Sequence, residues 1–294
     1  MTVTERGEIR LNEPMSRHTS WRVGGPAESF FVPSSLDGLQ AFLSELPDDV
    51  PVHWFGVGSN LLVRDGGITG VVISATKLLR EMEQLDELRV RAGSGLPCTQ
   101  MARQCLRWNL GPSEFFAGIP GTIGGALAMN AGAHGGETWE RVESVTTIDR
   151  QGEIRDREPS DYSVGYRSVK GPELEWFLSA IFRFEPEAGA SKETLDAMLE
   201  RRKATQPLGL PSCGSVFQNP PGDHAARLIE AAGLKGHRIG GAEVSPKHAN
   251  FIINADDASA GDIEALIDYV QTTVHEVHGV TLHHEVRIVG EQAA

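Results

Sequence analysis

Cysteine is scarce in this 294-residue chain: Cys98, Cys105 and Cys213, with no Cys-x-x-Cys pair. That number and spacing exclude a disulfide frame and a structural zinc site, and they fit a reducing compartment. Positive charge is in deficit as well. Lys and Arg number 27 against 40 Asp and Glu, a net charge of −13, which argues against broad binding to nucleic acid or to an anionic membrane. No apolar run approaches the ~18 residues that a membrane-crossing helix needs. The first residues, Met1-Thr2-Val3-Thr4-Glu5-Arg6, lack the apolar stretch of a signal peptide, so a cytoplasmic location is expected. The ten histidines are scattered and none forms the i, i+4 pair of a helical metal site, so no metal is expected.

Two familiar nucleotide motifs are missing. No glycine loop is followed by Gly-Lys-Ser/Thr, which excludes a Walker A loop, and no Gly-x-Gly-x-x-Gly joins a strand to a helix, which excludes a Rossmann fingerprint. Glycine itself is abundant, at 33 residues, and seven of the nineteen residues from Gly118 to Gly136 are glycine. Gly118-Ile119-Pro120-Gly121-Thr122-Ile123-Gly124-Gly125 leads into Ala126-Leu127-Ala128-Met129-Asn130-Ala131-Gly132-Ala133. Glycine inside such a helical pattern costs about 1 kcal/mol against alanine, so stability alone does not account for the run. Bare backbone suits close approach to a large, flat anion. A second loop, Gly56-Val57-Gly58-Ser59-Asn60, follows the apolar run Val52 to Phe55. Two such loops point to a dinucleotide gripped by main chain.

The apolar spacing predicts a mixed α/β chain of about two domains. Strands are expected at 28–33, 52–55, 71–73, 88–92 and 176–184, and a hairpin at 144–149 and 153–157 around Arg150-Gln151-Gly152. A helix capped by Ser34 or Ser35 carries Leu36, Leu39, Phe42, Leu43 and Leu46, and another begins at Pro97 with Cys98, Met101, Ala102, Cys105 and Leu106 on one face. Those two cysteines read as core. Glu187-Ala188-Gly189-Ala190 reads as a surface turn, and Ser191 caps a helix with Leu195, Met198 and Leu199. Pro207, Gly209 and Pro211 mark a domain boundary. Beyond it come a helix from about Asp223 to Gly233 and a longer one with Ile263, Leu266, Ile267, Val270, Val274 and Val277, capped by Ser259 and Asp262 and stopped by Gly279. Strands are expected at 250–254 and 280–288.

Three further segments hold polar residues in glycine-flanked or strand-like settings: Gly165-Tyr166-Arg167-Ser168, Cys213-Gly214-Ser215-Val216-Phe217-Gln218-Asn219-Pro220 and His284-Glu285-Val286-Arg287. Singly they read as a surface strand, a turn and a solvated edge. In order, with Thr19-Ser20-Trp21-Arg22-Val23-Gly24-Gly25-Pro26-Ala27 and the two glycine loops, they resemble the UDP-N-acetylenolpyruvoylglucosamine reductase family from about residue 17 to 290, and its shorter type II branch in particular.

The resemblance implies a two-part FAD-binding unit of the vanillyl-alcohol-oxidase-like type over 1–75 and 76–205, and a C-terminal α/β substrate domain over 206–294. It implies non-covalent FAD, NADPH as hydride donor, and UDP-N-acetylglucosamine enolpyruvate as the substrate reduced in peptidoglycan precursor synthesis. By position, Arg167, Ser215 and Glu285 match the catalytic arginine, the serine proton donor and the catalytic glutamate. The cofactor would be held by Gly56, Gly58, Ser59, Asn60, Gly118, Ile119, Pro120, Gly121, Gly124, Gly125, Asn130 and Gly132, and the substrate by Tyr166, Lys203 and Asn219, with Arg22 and His248 as weaker candidates. Gln218 departs from the family, which often has lysine there, and Val164 stands where an aromatic is usual. A competing reading, another FAD-dependent oxidase or dehydrogenase of the same superfamily, implies a flavin-linked histidine; neither His53 nor His134 lies in such a motif.

Overall fold

The computed structural model describes residues 2–186 and 191–293; the expected turn at 187–190 lies outside them. Helices and antiparallel strands alternate through the chain, as a mixed α/β reading requires. The strand at Pro26–Pro33 is followed by the helix Leu36–Glu45, whose N-cap is Ser35: its hydroxyl accepts the Gly38 N–H at 3.0 Å. Leu39 and Leu43 of that helix are buried. Thr2–Thr4, Gly7–Pro14, Pro26–Pro33, Ile68–Ile73 and Val52–Trp54 form a five-stranded sheet in that order.

The chain divides into two compact units. One comprises Met1–Arg10, Phe30–Gly56 and Val72–Arg202, the other Leu11–Ser29, Val57–Val71 and Lys203–Ala294. The first holds a five-stranded antiparallel sheet in the order Ile154–Arg157, Val142–Asp149, Glu175–Arg183, Arg89–Gly93 and Met82–Gln84. Alternation along Glu175–Arg183 buries Leu178, Ala180 and Phe182, as a sheet with one covered face demands. The helix Cys98–Arg107 buries Cys98, Met101, Ala102 and Cys105. Burial raises the thiol pKa of both cysteines, that of Cys105 to about 12, so both are inert core residues.

The second unit pairs Arg238–Ile239, Ala242–Val244 and Ile252–Asn254 in an antiparallel meander. The helix Ala260–His278 lays Ile263, Leu266, Ile267, Val270 and Val274 into its core. A capping box between Ser259 and Asp262 starts it, and Gly279, in the left-handed conformation, ends it. The carboxylate of Asp65 also accepts the N–H groups of Ala260 and Gly261, at 3.0 and 2.9 Å. A parallel pair joins Leu61–Val63 to Arg287–Val289.

Two expectations need correction. The 280–288 strand shrinks to Arg287–Val289; Leu282 to Val286 instead makes isolated bonds to loops, among them a single bridge from His284 to Phe217. Val277 is exposed rather than on the buried face, because the apolar stripe ends at Val274, one turn before the helix stops. The chain also opens with a hairpin, Thr2–Thr4 against Gly7–Pro14, whose strands carry too little apolar alternation to be read in advance.

Trp21 is fully buried in the second unit's core and donates its indole N–H to the Ile252 carbonyl at 2.7 Å. Trp21→Phe strands that carbonyl and leaves a void, so the urea unfolding free energy should fall by about 2–4 kcal/mol.

Candidate active site

The loop after Val52–Trp54 turns sharply at Gly58, which adopts φ +63, and a Cβ there would overlap the His18 carbonyl oxygen. The Ser20 N–H donates to the Gly58 carbonyl at 3.1 Å. Asn60 reaches onward: its Nδ2 donates to the Glu285 carbonyl at 3.1 Å, and its own carbonyl accepts the Arg287 N–H at 3.1 Å.

Glu285 is half-buried and its peptide is braced on both sides. Besides the bond from Asn60, its N–H donates to the Val216 carbonyl at 2.7 Å. Val216 follows Ser215, so the segments of the two residues are stitched together by main chain. The other flank of that segment is fixed by Asn250. The Val216 N–H donates to the Asn250 carbonyl at 2.9 Å, while the Asn250 carboxamide takes the Phe217 N–H at 2.9 Å and donates to the Phe217 carbonyl at 2.8 Å. Cys213 lies buried just upstream, and burial, reinforced by the negative charge of Glu285, pushes its thiol well above the ordinary range. It therefore stays protonated and serves as wall.

In the first unit the glycine run begins in a 3-10 turn, Glu114–Gly118, and passes through Thr122, the N-cap residue, into the helix Ile123–Met129. Gly118 is a packing glycine: a Cβ there would lie 2.5 Å from the Ala133 Cβ. Gly125 is the reverse case. It is exposed, and among the described residues, its own helix backbone and chain neighbours aside, the sole atom within 4 Å of its would-be Cβ is the Thr122 Oγ1, at 4.0 Å. Among the described residues, chain neighbours aside, the same oxygen is the sole atom that a Cβ on Gly56 would approach, at 3.2 Å. Beside Gly56 and Gly125, both near the hydroxyl of the buried Thr122, there is thus space that no other described side chain, their chain neighbours aside, enters.

Tyr166 and Arg167 are the two turn residues of a short hairpin, Ser163–Gly165 against Ser168–Lys170, rather than strand residues. Arg167 sits at φ +53, a left-handed conformation costing a non-glycine residue about 1–2 kcal/mol. Its guanidinium donates to the carbonyls of Asn130 at 3.2 Å and Gly132 at 2.8 Å, and lies 5.1 Å from the Tyr166 ring centroid. Asn130 ends the helix in the left-handed conformation and spends its carboxamide inside the protein, on Trp139, Glu137 and Gly165.

The remaining candidates are dispersed. The Lys203 carbonyl accepts the Lys247 ammonium at 2.6 Å. Asn219 caps the helix Ala225–Ala231 by accepting the Ala225 N–H at 3.1 Å. Arg22 holds φ +59. Burial lowers the pKa of His248, which keeps its imidazole neutral. The structure thus gathers Gly58, Asn60, Ser215 and Glu285 in the second unit. In the first it gathers Gly56 with Gly125, and Gly132 with Asn130 and Arg167. The bracing roles of Asn250 and Glu137 escape sequence reasoning, since nothing local distinguishes an amide or carboxylate bonded within the protein from a solvated one. Among the described residues, no cluster of three metal-ligating side chains occurs and no helix is long and apolar enough to cross a membrane.

An FAD-binding protein is the class these features define: residues 27–157 match the family model of an FAD binding domain. Residues 206–289 match the C-terminal domain of UDP-N-acetylenolpyruvoylglucosamine reductase. The chain is 57% identical to the UDP-N-acetylenolpyruvoylglucosamine reductase of Alkalilimnicola ehrlichii, over 97% of this chain and 96% of that protein. Identity to the enzyme of the same name from Methylococcus capsulatus is 55%, over 98% and 95%. The crystal structure of UDP-N-acetylenolpyruvylglucosamine reductase from Thermus caldophilus superposes with a TM-score of 0.80 at 30% identity, covering 96% of this chain and 98% of that one. The chain belongs to the UDP-N-acetylenolpyruvoylglucosamine reductase family.

The two kinds of glycine should part on mutation. In the flavin-free protein, Gly125→Ala should hold or raise the melting temperature, because alanine in a helix gains up to about 1 kcal/mol over glycine. Gly118→Ala should lower it, because Ala133 blocks the new methyl group.

Proposed function

We propose that this chain reduces the enolpyruvyl group of UDP-N-acetylglucosamine enolpyruvate with NADPH, giving UDP-N-acetylmuramate for peptidoglycan precursor synthesis in the cytoplasm. The observation that carries the reading is the Ser215–Glu285 arrangement, two reactive side chains on segments joined through the Val216 carbonyl. Residues 1–75 and 76–205 form the flavin-binding parts, and 206–294 the substrate-binding part.

The residues present fit a flavin. Gly56, Gly58, Ser59, Asn60, Gly118, Ile119, Pro120, Gly121, Gly124, Gly125 and Gly132 would hold it, largely through main chain. The open space beside Gly56 and Gly125 supports this fit. Bound there without a covalent link, the flavin would supply hydride transfer from NADPH to the β-carbon of the enolpyruvyl group.

The chain's own residues supply the rest. Arg167 offers a fixed positive charge to the substrate carboxylate, on which negative charge grows as the β-carbon is reduced. Its strained turn supports this role, since a residue kept in a costly conformation is a mark of function. Glu285 adds a hydrogen bond where that charge develops. Ser215 donates its hydroxyl proton to the α-carbon; a hydroxyl is a weak acid, and it suffices because the enolate-like carbon is a strong base. Tyr166, Lys203 and Asn219 contact the sugar nucleotide. With a net charge of −13, the protein must neutralise the diphosphate locally, by such side chains and main-chain N–H groups.

Ser215→Ala should keep FAD, flavin reduction by NADPH and sugar-nucleotide binding, while turnover falls by several orders of magnitude with little change in KM. Glu285→Gln should slow flavin reoxidation by substrate about 10²–10³-fold and spare flavin reduction. Stopped-flow absorbance reads both half-reactions. Near wild-type turnover in Ser215→Ala would remove that residue as donor, and equal slowing of both halves in Glu285→Gln would make Glu285 structural. Gly125→Ala should lose FAD despite its sound fold, a separation read by flavin titration.

A further inference from the structure

We infer that Asn130 is a positioning residue for Arg167, holding the stem of its turn and its guanidinium at once. The inference rests on the proposed role of Arg167.

Asn130 is 2% exposed, and its side-chain oxygen and both of its side-chain N–H donors have partners inside the protein. Oδ1 accepts the Trp139 N–H at 3.1 Å; Nδ2 donates to Glu137 Oε2 at 2.7 Å and to the Gly165 carbonyl at 3.2 Å. A carboxamide has two N–H donors, and both are used. No donor is left for a ligand, which sets Asn130 apart from the glycines around it.

The geometry at Arg167 gives those bonds their purpose. Gly165 pairs with Ser168 at the base of the two-residue turn, so the bond from Nδ2 ties down the stem two residues before Arg167. The Asn130 carbonyl accepts Arg167 Nη1, and the Gly132 carbonyl accepts Nη2. Side chain and main chain of one residue therefore fix both ends of the arginine. Asn130 reaches both because it is the left-handed terminus of the helix Ile123–Met129, at φ 47 and ψ 53. Asparagine tolerates that conformation better than other side chains. Glu137 completes the frame: its carboxylate receives Nδ2 and also belongs to the capping box of the turn Thr138–Arg141. The left-handed turn at Arg167 would otherwise relax, and a displacement of about 1 Å at a catalytic group costs on the order of 10²-fold in rate.

Asn130→Gly tests this without threatening the fold, since glycine accepts the left-handed conformation and the main-chain carbonyl stays. It should bind FAD and be reduced by NADPH as the wild type is, while flavin reoxidation by the enolpyruvyl substrate slows roughly 10- to 100-fold. Asn130→Asp sets two carboxylates against each other. Its reoxidation rate should rise as pH falls and the pair comes to share a proton. Adding Glu137→Gln, whose amide can donate to the new carboxylate, should recover at least part of the loss at neutral pH.

Loss of FAD in Asn130→Gly, or wild-type reoxidation in it, would overturn the inference. So would the absence of any rescue by Glu137→Gln. Arg167→Ala separates the two levels: if it too reoxidises at the wild-type rate, the reading of Arg167 fails; if it alone is slow, only the positioning role of Asn130 fails.

Discussion

The main chain of Glu285 holds together the candidate site of the second unit. The segment from Leu282 to Val286 has no sheet to belong to, yet its buried polar backbone groups must find partners. They find them in two loops: the N–H in Val216, the carbonyl in Asn60. The main chain of one residue thereby fixes the Ser215 segment and the glycine loop at Gly58–Asn60. Asn250 closes the arrangement from the other flank with a two-point amide contact that copies a strand pair. Precision is achieved here without regular secondary structure, through loops that satisfy one another.

The same device recurs in the first unit around Arg167. There a buried amide again takes the place of a ladder, and a costly backbone conformation is held by bonds from a separate segment. Both corners use asparagine for one reason: it offers donors and an acceptor on a short, rigid arm, able to imitate a peptide where no strand runs alongside. Replacing either with an apolar residue of similar size would leave several main-chain groups unpaired.

Much of the fold was legible. Ser35, Ser259 with Asp262, and Gly279 marked helix ends because capping is local chemistry. Cys98, Met101 and Cys105 fell on one face because helical spacing is local too. The strand at 280–288 was misread because Val280, Leu282 and Val286 alternate like strand residues, and which partner they would find is a question of tertiary structure. Val277 was misread for the related reason that periodicity continues past the point where the core ends. Of the candidate site, the ordered motifs located Arg167, Ser215 and Glu285, but not the hydrogen bonds that hold them. Asn130 was picked out as a polar residue in a glycine run; that its carboxamide faces inward depends on Trp139, Glu137 and Gly165, which lie seven to thirty-five residues away in the chain.

Gly125 has a consequence for how this protein can be improved. A designer optimising the polypeptide for its own stability would fill that position, since among the described residues nothing forbids a methyl group there. The proposed flavin contact and the packing of the chain would then give opposite advice at one residue. Where they disagree in that way, the constraint is written in the shape of something outside the polypeptide. The surface of a fold can thus be searched for bare glycines that lack an internal excuse, as a map of what it was built to touch.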